Sequence, residues 1–523
     1  MTSIKNAHNS NTAVRHAGDK VKALGKIADI ADKARQQGQT VVLAHGVFDL
    51  IHMGHVRHLE AARREGDVLI VTVTGDKFVN KGPNRPVFTE VIRAEMIAAL
   101  EYVSWVGINP SASAEAVIEQ IRPDIYIKGS DYQNEADDVT GKIGKEREAA
   151  ERYGGKLKFS NDITFSSSNL INAHFSDFSP ELRACLNEIK SNGGITDLTL
   201  SLNAMASQKV VLIGDTIIDE YQYVVPQGKS PKENMISALF QEKEIFAGGV
   251  IASANHVASF CDEVEVITVL GEQDSYEDLV RSALRENVKL HVVRRPDAPT
   301  TRKCRFIESS HLRKLFEIYH MNDTPLPEAG TESLRRTIEA HAVSADVVIV
   351  NDFGHGMISK PVTETIIAQS RFLALNSQTN SANLGYNLVT KFAKADFVCI
   401  DATEARLAAG DKFSSLEKIA QEVLPTKIDC GKFMMTNGKF GCVGFAESNG
   451  LYTIPAFTDM VVDTVGAGDA FFAISAPLAA MGVDIQKIGF IGNAVGAIKV
   501  GIVGHRQSVE KVPLIKSLDT ILK

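Results

Sequence analysis

The chain has 523 residues, 44% hydrophobic and 23% charged, with 56 Lys and Arg against 64 Asp and Glu, which gives a net charge of −8. Because one domain usually holds roughly 100–200 residues, the length indicates at least two domains, and the composition excludes a disordered chain and a membrane protein. The negative charge has the wrong sign for a nucleic-acid-binding surface, so we expect no nucleic acid and no membrane among the partners and, in the absence of a signal-peptide pattern, a cytoplasmic location.

Residues 1–39 predict a polar tail followed by a helix over 21–36, where apolar residues recur at helical spacing. From residue 40 to residue 172, short apolar runs alternate with helical patterns. The predicted strands lie at 40–43, 68–73, 103–106 and 125–127, and the predicted helices at 56–64, 91–100 and 114–121. This alternation is typical of a parallel sheet with helices on both faces.

The pattern changes between residues 173 and 207, where Ser179-Pro180 opens a helix and Gly193-Gly194 closes it. We interpret this segment as a linker. A second alternating block covers 208–523, with predicted strands at 210–213, 264–269, 290–293, 347–350, 397–400 and 432–435. The sequence therefore predicts an α/β protein with two doubly wound domains.

The first predicted strand leads into the segment GVFDLIHMGH, residues 46–55, and then into a predicted helix. Gly46 and Gly54 let the backbone approach a phosphate, and the helix start points N–H groups and a positive dipole end at it. His52 and His55, one turn apart, can stabilise the charge that develops during attack on an α-phosphate. Two ordinary histidines in a surface turn would share the H-x-G-H spacing, but the ten-residue context favours a site.

Three further segments fit the same chemistry. Lys81 follows the strand predicted at 68–73 and is near enough in sequence to reach the phosphates, while Lys128 and Asp131 follow the strand predicted at 125–127. A third segment offers hydroxyls at a helix start, which usually only cap the helix but can hold a triphosphate. These hydroxyls belong to Ser166, Ser167 and Ser168.

Together these residues resemble the cytidylyltransferase-like nucleotidyltransferase superfamily over 40–172, which has an HxGH Rossmann-like fold. They are most similar to the adenylyltransferase half of the bifunctional heptose kinase/adenylyltransferases of the ADP-heptose pathway. That family has G-V-F-D with H-x-G-H, an Arg-Pro-Val segment (here 85–87), a K-G-x-D-Y segment (here 128–132) and a closing S/T-rich N-x-I motif, in this order. The resemblance implies transfer of a nucleoside monophosphate from ATP or CTP to a sugar or polyol phosphate, with Mg²⁺ assisting and pyrophosphate leaving.

The same resemblance implies roles for single residues. It implies catalytic roles for His52, His55 and Lys81. It implies nucleotide binding by Gly46, Phe48, Asp49, Gly54, Lys128, Asp131, Ser166, Ser167 and Ser168.

Near the C-terminus, the segment DTVGAGDAF, residues 463–471, runs into an apolar helical pattern over 471–481. Small residues at Gly466, Ala467 and Gly468 leave backbone N–H groups at the helix start bare for a transferring phosphoryl group. Asp469 lies beside this anion hole and can accept the proton of an attacking hydroxyl. A dinucleotide site is excluded because the third glycine of G-x-G-x-x-G is missing.

This segment resembles the second signature of the ribokinase-like (phosphofructokinase B) sugar kinases, and the similarity extends over roughly 208–510. The resemblance implies phosphorylation of a sugar by ATP with Mg²⁺. The substrate-binding residues that it implies are Asp215, Asp219, Gly248, Gly249, Lys303, Arg305, Asp352 and Asp463. The implied nucleotide-binding residues are Thr436, Gly438, Gly441, Gly466, Ala467 and Gly468, and the implied metal ligands are Asp401 and Glu404.

Two positions depart from the family pattern. The Asn that follows the family's di-glycine is Ala252 here, so a contact to a sugar hydroxyl is missing or moved to Asn255. The family's N-x-x-E begins with Asp401, which keeps an oxygen ligand and adds charge. These changes leave the identity of the sugar open more than the reaction.

The transferase block precedes the kinase block, which is the reverse of the usual heptose enzyme. One interpretation is a heptose 7-phosphate kinase joined to a heptose 1-phosphate adenylyltransferase, and a second is the same two chemistries on another sugar or polyol. A third is a non-catalytic, ligand-sensing scaffold with one inactive half, against which the presence of His52, His55 and Asp469 argues. We expect small-molecule sugar phosphates and nucleotides as partners, and a homodimer.

The predicted domains are a tail and helix at 1–39, a nucleotidyltransferase domain at 40–172, a linker at 173–207 and a sugar kinase domain at 208–523.

Overall fold

The computed structural model describes residues 16–82, 85–129, 142–160, 172 and 178–523. The chain divides into two compact units, of which the first holds residues 1–177 and the second residues 178–522. Within the described ranges, no helix is both long enough and apolar enough to cross a membrane.

Five parallel strands form the sheet described in the first unit, in the order β3-β2-β1-β4-β5. The strands are β1 Val41–Gly46, β2 Val68–Thr74, β3 Trp105–Asn109, β4 Ile125–Gly129 and β5 Lys156–Ser160. The helices are α1 Leu24–Gln36, α2 Met53–Arg64, α3 Glu90–Ala98, α4 Glu115–Ile121 and α5 Lys142–Arg152. The α/β prediction for this part of the chain is confirmed.

Both faces of this sheet are covered by helices. Successive residues of β1 point to opposite faces, so Val41 and Leu43 pack with α1, α4 and α5, whereas Val42 and Ala44 pack with α2 and α3. All four side chains are fully buried. Burial on both faces explains why the strand reads as a continuous apolar run rather than an alternating one.

The main sheet of the second unit has nine strands in the order β10-β9-β6-β13-β14-β15-β16-β17-β18, and a smaller sheet has the order β12-β11-β7-β8. The strands before residue 300 are β6 Lys209–Gly214, β7 Thr216–Lys229, β8 Ile236–Gly249, β9 Glu263–Gly271 and β10 Val288–Arg295. Those after it are β11 Arg302–Glu308, β12 Arg313–His320, β13 Val347–Asp352, β14 Leu373–Ser377, β15 Phe397–Asp401, β16 Lys432–Thr436, β17 Cys442–Ala446 and β18 Gly450–Ile454.

Helices cover both faces of the nine-stranded sheet and enclose two apolar cores. The helices are α6 Pro180–Ser191, α7 Gly194–Ala204, α8 Val250–Ala258, α9 Glu277–Ala283, α10 Glu328–Ala342, α11 Lys360–Gln369, α12 Ala402–Ala409, α13 Leu416–Lys418, α14 Ala467–Ala480, α15 Ile485–Lys499 and α16 Lys511–Leu522. Val210 and Leu212 of β6 lie in the core that holds α14 and α15, and Val211 and Ile213 lie in the core that holds α10 and α11.

The smaller sheet joins the main sheet at the carboxyl end of β6, where Gly214 is followed directly by β7. The first half of β7 is buried, but its last five residues, most of β8 and nearly all of β12 are exposed. Apart from the basic segment at 302–305, the sequence predicted none of these strands, because the exposed parts carry no apolar run and polar residues interrupt the buried part of β7.

The interpretation of 173–207 as a linker is wrong for its described part. Residues 180–191 and 194–204 form α6 and α7, and Ile189, Leu198 and Leu202 are fully buried in the core of the second unit. The predicted helix and its Ser179 cap are present, since the Ser179 hydroxyl accepts a hydrogen bond from the Leu182 N–H. The apolar faces of α6 and α7 are therefore part of the core of the second unit.

Removing these two helices should destabilise the second unit. Each fully buried Leu or Ile side chain that is lost typically costs about 2–5 kcal/mol. We expect a fragment of residues 178–523 to unfold cooperatively, and a fragment of residues 205–523 to melt at a lower temperature or without a cooperative transition. Differential scanning calorimetry of both fragments measures this, and equal melting temperatures would show that the helices are dispensable.

Candidate active sites

The histidine pair of the first unit lies where β1 ends and α2 begins. His52 caps α2, since its Nδ1 accepts a hydrogen bond from the Gly54 N–H at 3.1 Å, and the His52 N–H points at the Nδ1 of His55 at 3.4 Å. The two rings stack with centroids 4.0 Å apart. Because each Nδ1 is an acceptor, a neutral ring carries its proton on Nε2. Each neutral imidazole thus has one ring N–H to donate, and the His55 ring also makes a hydrogen bond with the Leu50 backbone.

Burial and the positive charge of Lys81 lower the pKa of His52. Burial, together with His52 and Lys81, lowers the pKa of His55 to about 3. Both rings are thus neutral near pH 7, and the structure brings Lys81 close enough to act on both. The three residues predicted as catalytic in this unit lie together.

Phe48 holds the turn in shape. Its backbone has a φ of 50°, in the left-handed region that a bulky residue rarely adopts, and its ring contacts His55 edge-on with centroids 5.3 Å apart. A Cβ on Gly46 would lie 3.1 Å from the Phe48 ring, so glycine allows this close approach. Gly54 lies in the first turn of α2.

Asp49 is almost completely buried and is held by the segment that follows residue 84. Its Oδ1 accepts hydrogen bonds from the N–H groups of Val87 at 2.7 Å and Phe88 at 3.3 Å, and its Oδ2 lies 3.4 Å from Nη1 of Arg85. Arg85 also donates to Oδ1 of Asn172 at 3.1 Å. Asp49 therefore positions the 85–88 segment beside the turn.

The sequence did not point to Arg93, which is fully buried. Its guanidinium donates to the carbonyls of Val47, Phe88 and Thr74, and pairs with Asp76 at 2.6 Å. It thereby ties the turn after β1 to the end of β2. In the sequence it was one charged residue in an amphipathic helix, and only its partners distinguish it.

Lys128, at the end of β4, forms an ion pair with Glu146 at 3.0 Å, and its ammonium lies 5.4 Å from the centre of the Tyr126 ring. Although burial opposes it, the pairing with Lys128 holds the pKa of Glu146 below its usual range. The remaining predicted residues of this site, Asp131, Ser166, Ser167 and Ser168, lie outside the described residues.

In the second unit, α14 begins directly after Gly466, whose φ is 74°. A Cβ at Gly466 would lie 2.7 Å from Cε1 of His505, whereas the space beside Gly468 is open. Ala467 and Gly468 form the first turn of α14, so its N–H groups are not covered by large side chains. The sequence predicted an anion hole at this helix start, where the Ala467 N–H donates to the Thr464 carbonyl at 3.2 Å.

Asp469, in the same turn, is buried, and its Oδ1 accepts a hydrogen bond from Nε2 of Gln378. Burial raises the pKa of Asp469, although His505 and the Gln378 hydrogen bond oppose the rise. A carboxylate with a raised pKa is a better proton acceptor, as the predicted role requires.

His505 was not recognised in the sequence and lies at the centre of this site. Its Nε2 lies 3.2 Å from Oδ2 of Asp219, and its Nδ1 is buried without a hydrogen-bond partner in the described chain. Its ring also contacts Gly466. The residue follows α15 in a Gly-His-Arg turn that carries no sequence signal of its own.

Asp463 does not point its oxygens into open space. It accepts hydrogen bonds from the Tyr221 hydroxyl at 2.8 Å, the Lys314 ammonium at 2.7 Å, and the N–H groups of Gly504 at 2.8 Å and Val465 at 3.1 Å. Although burial opposes it, these donors hold its pKa below the usual range. Asp463 thus fixes the loop that precedes the anion hole.

Lys499 fixes the same loop from the other side. It is fully buried, and its ammonium donates to the carbonyls of Val465 at 2.8 Å and Gly504 at 2.7 Å. Burial lowers the pKa of Lys499, but the charges of Asp463 and Asp469 oppose this. A cation therefore sits directly behind the anion hole.

Asp219 and Arg305 form a buried ion pair between β7 and β11, and Arg305 also lies 3.2 Å from Glu317. Although burial alone would raise it, Arg305 and His505 hold the pKa of Asp219 well below its usual range. Lys303, also buried, has its ammonium 5.3 Å from the centre of the Tyr319 ring. Within the described residues, no carboxylate lies within ion-pair distance of Lys303.

Two acids meet where β6 and β13 end. Asp215 accepts a hydrogen bond from the Phe353 N–H at 3.0 Å. Asp352 pairs with Lys391 at 2.5 Å and accepts a hydrogen bond from the Ser377 hydroxyl at 3.0 Å. Burial and the charge of Asp352 raise the pKa of Asp215 to about 7.

This raised pKa predicts a pH-dependent stability. Between about pH 4 and pH 7, the folded chain keeps the Asp215 proton and the unfolded chain loses it, so the contribution of Asp215 to stability falls as the pH rises. We therefore compare the free energy of unfolding of Asp215→Asn with that of the unsubstituted protein. The difference, variant minus unsubstituted, should rise over this pH range by on the order of 4 kcal/mol. Urea denaturation at a series of pH values measures the difference, and a difference that is constant with pH would contradict the prediction.

Gly248 and Gly249 end β8 where the backbone passes very close to these acids. A Cβ at Gly248 would lie 2.2 Å from Oδ2 of Asp219, and one at Gly249, whose φ is 61°, would lie 2.4 Å from the Asp215 carbonyl. Both positions therefore require glycine.

The space beyond the two glycines is a cavity of about 130 Å³, lined in part by Ala252, Asn255, His256 and His505. The Asn255 amide is already used, since it donates to the Ala283 carbonyl at 2.8 Å and accepts from the Arg285 N–H at 3.1 Å. Asn255 therefore ties the cavity wall to the segment at 283–285.

The predicted nucleotide-binding residues of the sheet edge follow β16. Thr436 ends the strand, and Gly438 and Gly441 have φ values of 53° and 88° in the turn to β17. A Cβ at Gly441 would lie 1.9 Å from the Ile454 carbonyl, so no other residue fits there.

Asp401 and Glu404 form a capping box at the start of α12. The Glu404 N–H donates to Oδ1 of Asp401 at 2.8 Å, and the Asp401 N–H donates to Oε2 of Glu404 at 2.8 Å. Burial and the charge of Asp401 raise the pKa of Glu404, and Asp469 adds to the rise. A divalent cation would relieve this crowding of negative charge, so the carboxylates fit Mg²⁺, which prefers oxygen ligands and keeps several waters.

His355 was also missed by the sequence. It follows β13, and neither of its ring nitrogens has a hydrogen-bond partner among the described residues although both are buried. Burial and the nearby Lys303 lower its pKa to about 3. The ring lines a cavity of about 20 Å³ together with Asp215 and Arg295.

The second unit matches a known family. Residues 207–512, more than half of the chain, match the pfkB family of carbohydrate kinases, and the chain belongs to this family. Residues 43–173 match the cytidylyltransferase-like family. The chain thus carries a nucleotidyltransferase domain followed by a kinase domain.

The curated proteins that are similar to this chain align with it over only part of their own length. The bifunctional protein HldE of Syntrophotalea carbinolica is 35% identical over 163 residues, which cover 30% of this chain and 32% of the relative. The bifunctional protein HldE of Edwardsiella ictaluri is 44% identical over 143 residues, which cover 27% of this chain and 28% of the relative. The chain therefore spans about a third of the length of the curated relatives that it matches.

Among solved structures, phosphofructokinase-2 from Escherichia coli in complex with substrates and products is 14% identical. The match covers 60% of this chain and 100% of the phosphofructokinase-2 chain, with a TM-score of 0.49.

Proposed function

We propose that the chain is a bifunctional enzyme of nucleotide-activated sugar synthesis. Its kinase domain phosphorylates a sugar with ATP, and its N-terminal domain transfers a nucleotidyl group from ATP or CTP to a sugar 1-phosphate. The observation that carries the proposal is the buried Asp469, whose pKa is raised, in the first turn of a helix that begins with the small residues Ala467 and Gly468. The curated relatives are named bifunctional, which supports two activities in one chain.

In the kinase domain, Asp469 accepts the proton of the sugar hydroxyl as its oxygen bonds to the γ-phosphorus, and the bond to ADP breaks. Gln378 orients the Asp469 carboxylate through its hydrogen bond. Backbone N–H groups in the first turn of α14 stabilise the charge on the transferring group. Asp401 and Glu404 would hold Mg²⁺, which neutralises phosphate charge when bound.

The sugar that fits best already carries a phosphate. No carboxylate of the described chain lies within ion-pair distance of the buried Lys303, although Asp219 acts on it from further away, and His355 beside it has two buried nitrogens without hydrogen-bond partners in that part of the chain. A buried cation is expensive unless it meets an anion, and a substrate phosphate would supply one. A heptose 7-phosphate-like substrate meets this requirement, as does a different sugar or polyol phosphate.

In the N-terminal domain, the sugar phosphate oxygen attacks the α-phosphorus and pyrophosphate leaves. The Nε2–H groups of His52 and His55 donate to the oxygens of the α-phosphate as charge develops on them. Neutral rings suit this role because a donor is needed and no proton has to be transferred. Lys81 compensates the charge of the triphosphate.

We further propose a homodimer. The outer parts of the smaller sheet expose large apolar side chains, among them Ile236, Leu239, Phe240 and Phe316, each more than half exposed. Apolar surface of this kind is typical of an interface, and a second copy of the chain would cover it. Light scattering after size-exclusion chromatography measures the mass, and a monomer at micromolar concentration would contradict the proposal.

One experiment tests both activities. The full chain is incubated with ATP, CTP, Mg²⁺ and a panel of sugars, sugar phosphates and polyol phosphates, and the products are identified by mass. A product heavier by one phosphoryl group reports the kinase, and a nucleotide-linked product with pyrophosphate reports the transferase. Absence of both products across the panel would favour the non-catalytic, ligand-sensing alternative.

A further inference from the structure

Three side chains with metal-ligating atoms meet in the second unit, away from its candidate active site. Glu265 lies on β9, His291 on β10 and His341 in the last turn of α10. Nε2 of His291 and Nδ1 of His341 each lie 2.8 Å from the same oxygen, Oε2 of Glu265. The three atoms lie within 4.8 Å of one another, so one ion can contact all of them.

The other oxygen of Glu265 is held by a different group, since the Lys209 ammonium lies 3.7 Å from Oε1. Both oxygens of the Glu265 carboxylate are therefore held in place. Lys209 orients it from behind, as an outer partner of a metal ligand does.

The cluster is open to solvent on one side. Glu265 is 7% exposed, whereas the side chains of His291 and His341 are 24% and 32% exposed. The two rings lie with centroids 3.7 Å apart, so both present a nitrogen to the same carboxylate from the solvent side. An ion can thus enter without opening the core.

The donor set selects the kind of metal. Two imidazole nitrogens and one carboxylate oxygen, with a fourth position left for water, suit Zn²⁺. Mg²⁺ prefers oxygen ligands and keeps its waters, so the Mg²⁺ that a kinase reaction uses does not suit this cluster.

The cluster is far from the carboxyl ends of the strands. Glu265 pairs with Val211 and Lys289 near the start of β9, and the strand runs on for six residues, about 20 Å, to Gly271 beside the catalytic edge. β10 is the edge strand of the main sheet, and His341 belongs to the helix that packs beside it. An ion here would join α10 to the sheet edge.

We propose that Glu265, His291 and His341 form a structural transition-metal site, for which Zn²⁺ is the natural ion, and that the bound ion fastens α10 to β9 and β10. The site is distinct from the Mg²⁺ and nucleotide sites of either domain. Without an ion, the same residues form a hydrogen-bonded cluster.

The test measures Zn²⁺ binding and melting temperature on the full chain, after treatment with a chelator and without any substrate. Zn²⁺ added in excess should raise the melting temperature of the second unit, because a ligand that binds only the folded state stabilises it. His291→Gln and His341→Gln should each remove one equivalent of bound Zn²⁺ and the stabilisation. We expect a loss in affinity larger than the roughly 10–100-fold that removal of an outer partner causes.

His311→Gln is the matched control, because His311 pairs with Glu308 at 3.4 Å but has no third ligand among the described residues, and this variant should bind Zn²⁺ like the unsubstituted protein. His341 is partly exposed on a helix, so His341→Gln should fold, and circular dichroism checks this. The proposal would be overturned if the unsubstituted protein, His291→Gln and His341→Gln had the same Zn²⁺ affinity and the same melting temperature. The cluster would then be a hydrogen-bond network only. Neither readout depends on catalysis.

Discussion

Asp469→Asn should abolish sugar phosphorylation and leave the fold intact. The substitution keeps the shape of the side chain and an oxygen that can accept the hydrogen bond from Gln378, but it removes the group that takes the sugar proton. A positioned general base typically contributes about 10²–10⁴ to the rate, so we expect turnover to fall by that factor. The rate of ADP release with saturating ATP and sugar measures the effect.

The second active site of the same protein is the internal control. Asp469 and the histidine pair belong to different units, so pyrophosphate release should be unchanged in Asp469→Asn. If the variant phosphorylated sugar at a near-normal rate, Asp469 would be excluded as the base. A parallel loss of both activities would instead indicate misfolding.

Substitution of either histidine should lower nucleotidyl transfer strongly and nucleotide binding little. His52→Ala and His55→Ala each delete one Nε2–H donor to charge that develops mainly in the transition state. The loss of one such donor typically costs about 10²–10³ in turnover. Pyrophosphate release measures turnover, and equilibrium binding of ATP or CTP measures the ground state.

His58→Ala is a matched control on the same helix, because the His58 ring contacts the Ser160 hydroxyl at 2.8 Å and lies one turn beyond the pair. It should change turnover far less than the other two. Equal losses in turnover and in nucleotide binding would make the histidines ground-state ligands and would contradict the assigned role. Sugar-independent hydrolysis of the nucleotide would contradict the whole transferase assignment.

Buried strands were predictable because burial on both faces leaves a continuous apolar run. The runs at 210–213 and 347–350 became β6 and β13 with only one or two residues added at their ends. β12 could not be found in this way, since nearly all of its residues are exposed and it is held by pairing with β11. The sequence predicted α6 from its Ser179-Pro180 start, but it predicted neither α7 nor the surface that the two helices pack against.

The residues of the candidate sites likewise fall into those that the sequence could reveal and those that it could not. Motifs on a single turn, such as 46–55 and 463–471, are local in the chain and could be recognised from spacing. His505 acquires its place only through contact with Asp219, 286 residues earlier, and Arg93 through carbonyls in three segments. Spacing along a sequence carries no signal for such partners, because the fold alone brings them together.

The ammonium of Lys499 behind the anion hole has a consequence for how the kinase domain depends on its surroundings. A dissolved cation that neutralised the carbonyls of such a loop would exchange with the buffer. Here the charge is attached to α15 by the lysine side chain and is enclosed between Val465 and Gly504. The Lys499 charge cannot be removed by dialysis or displaced by sodium ions, and every folded molecule contains it.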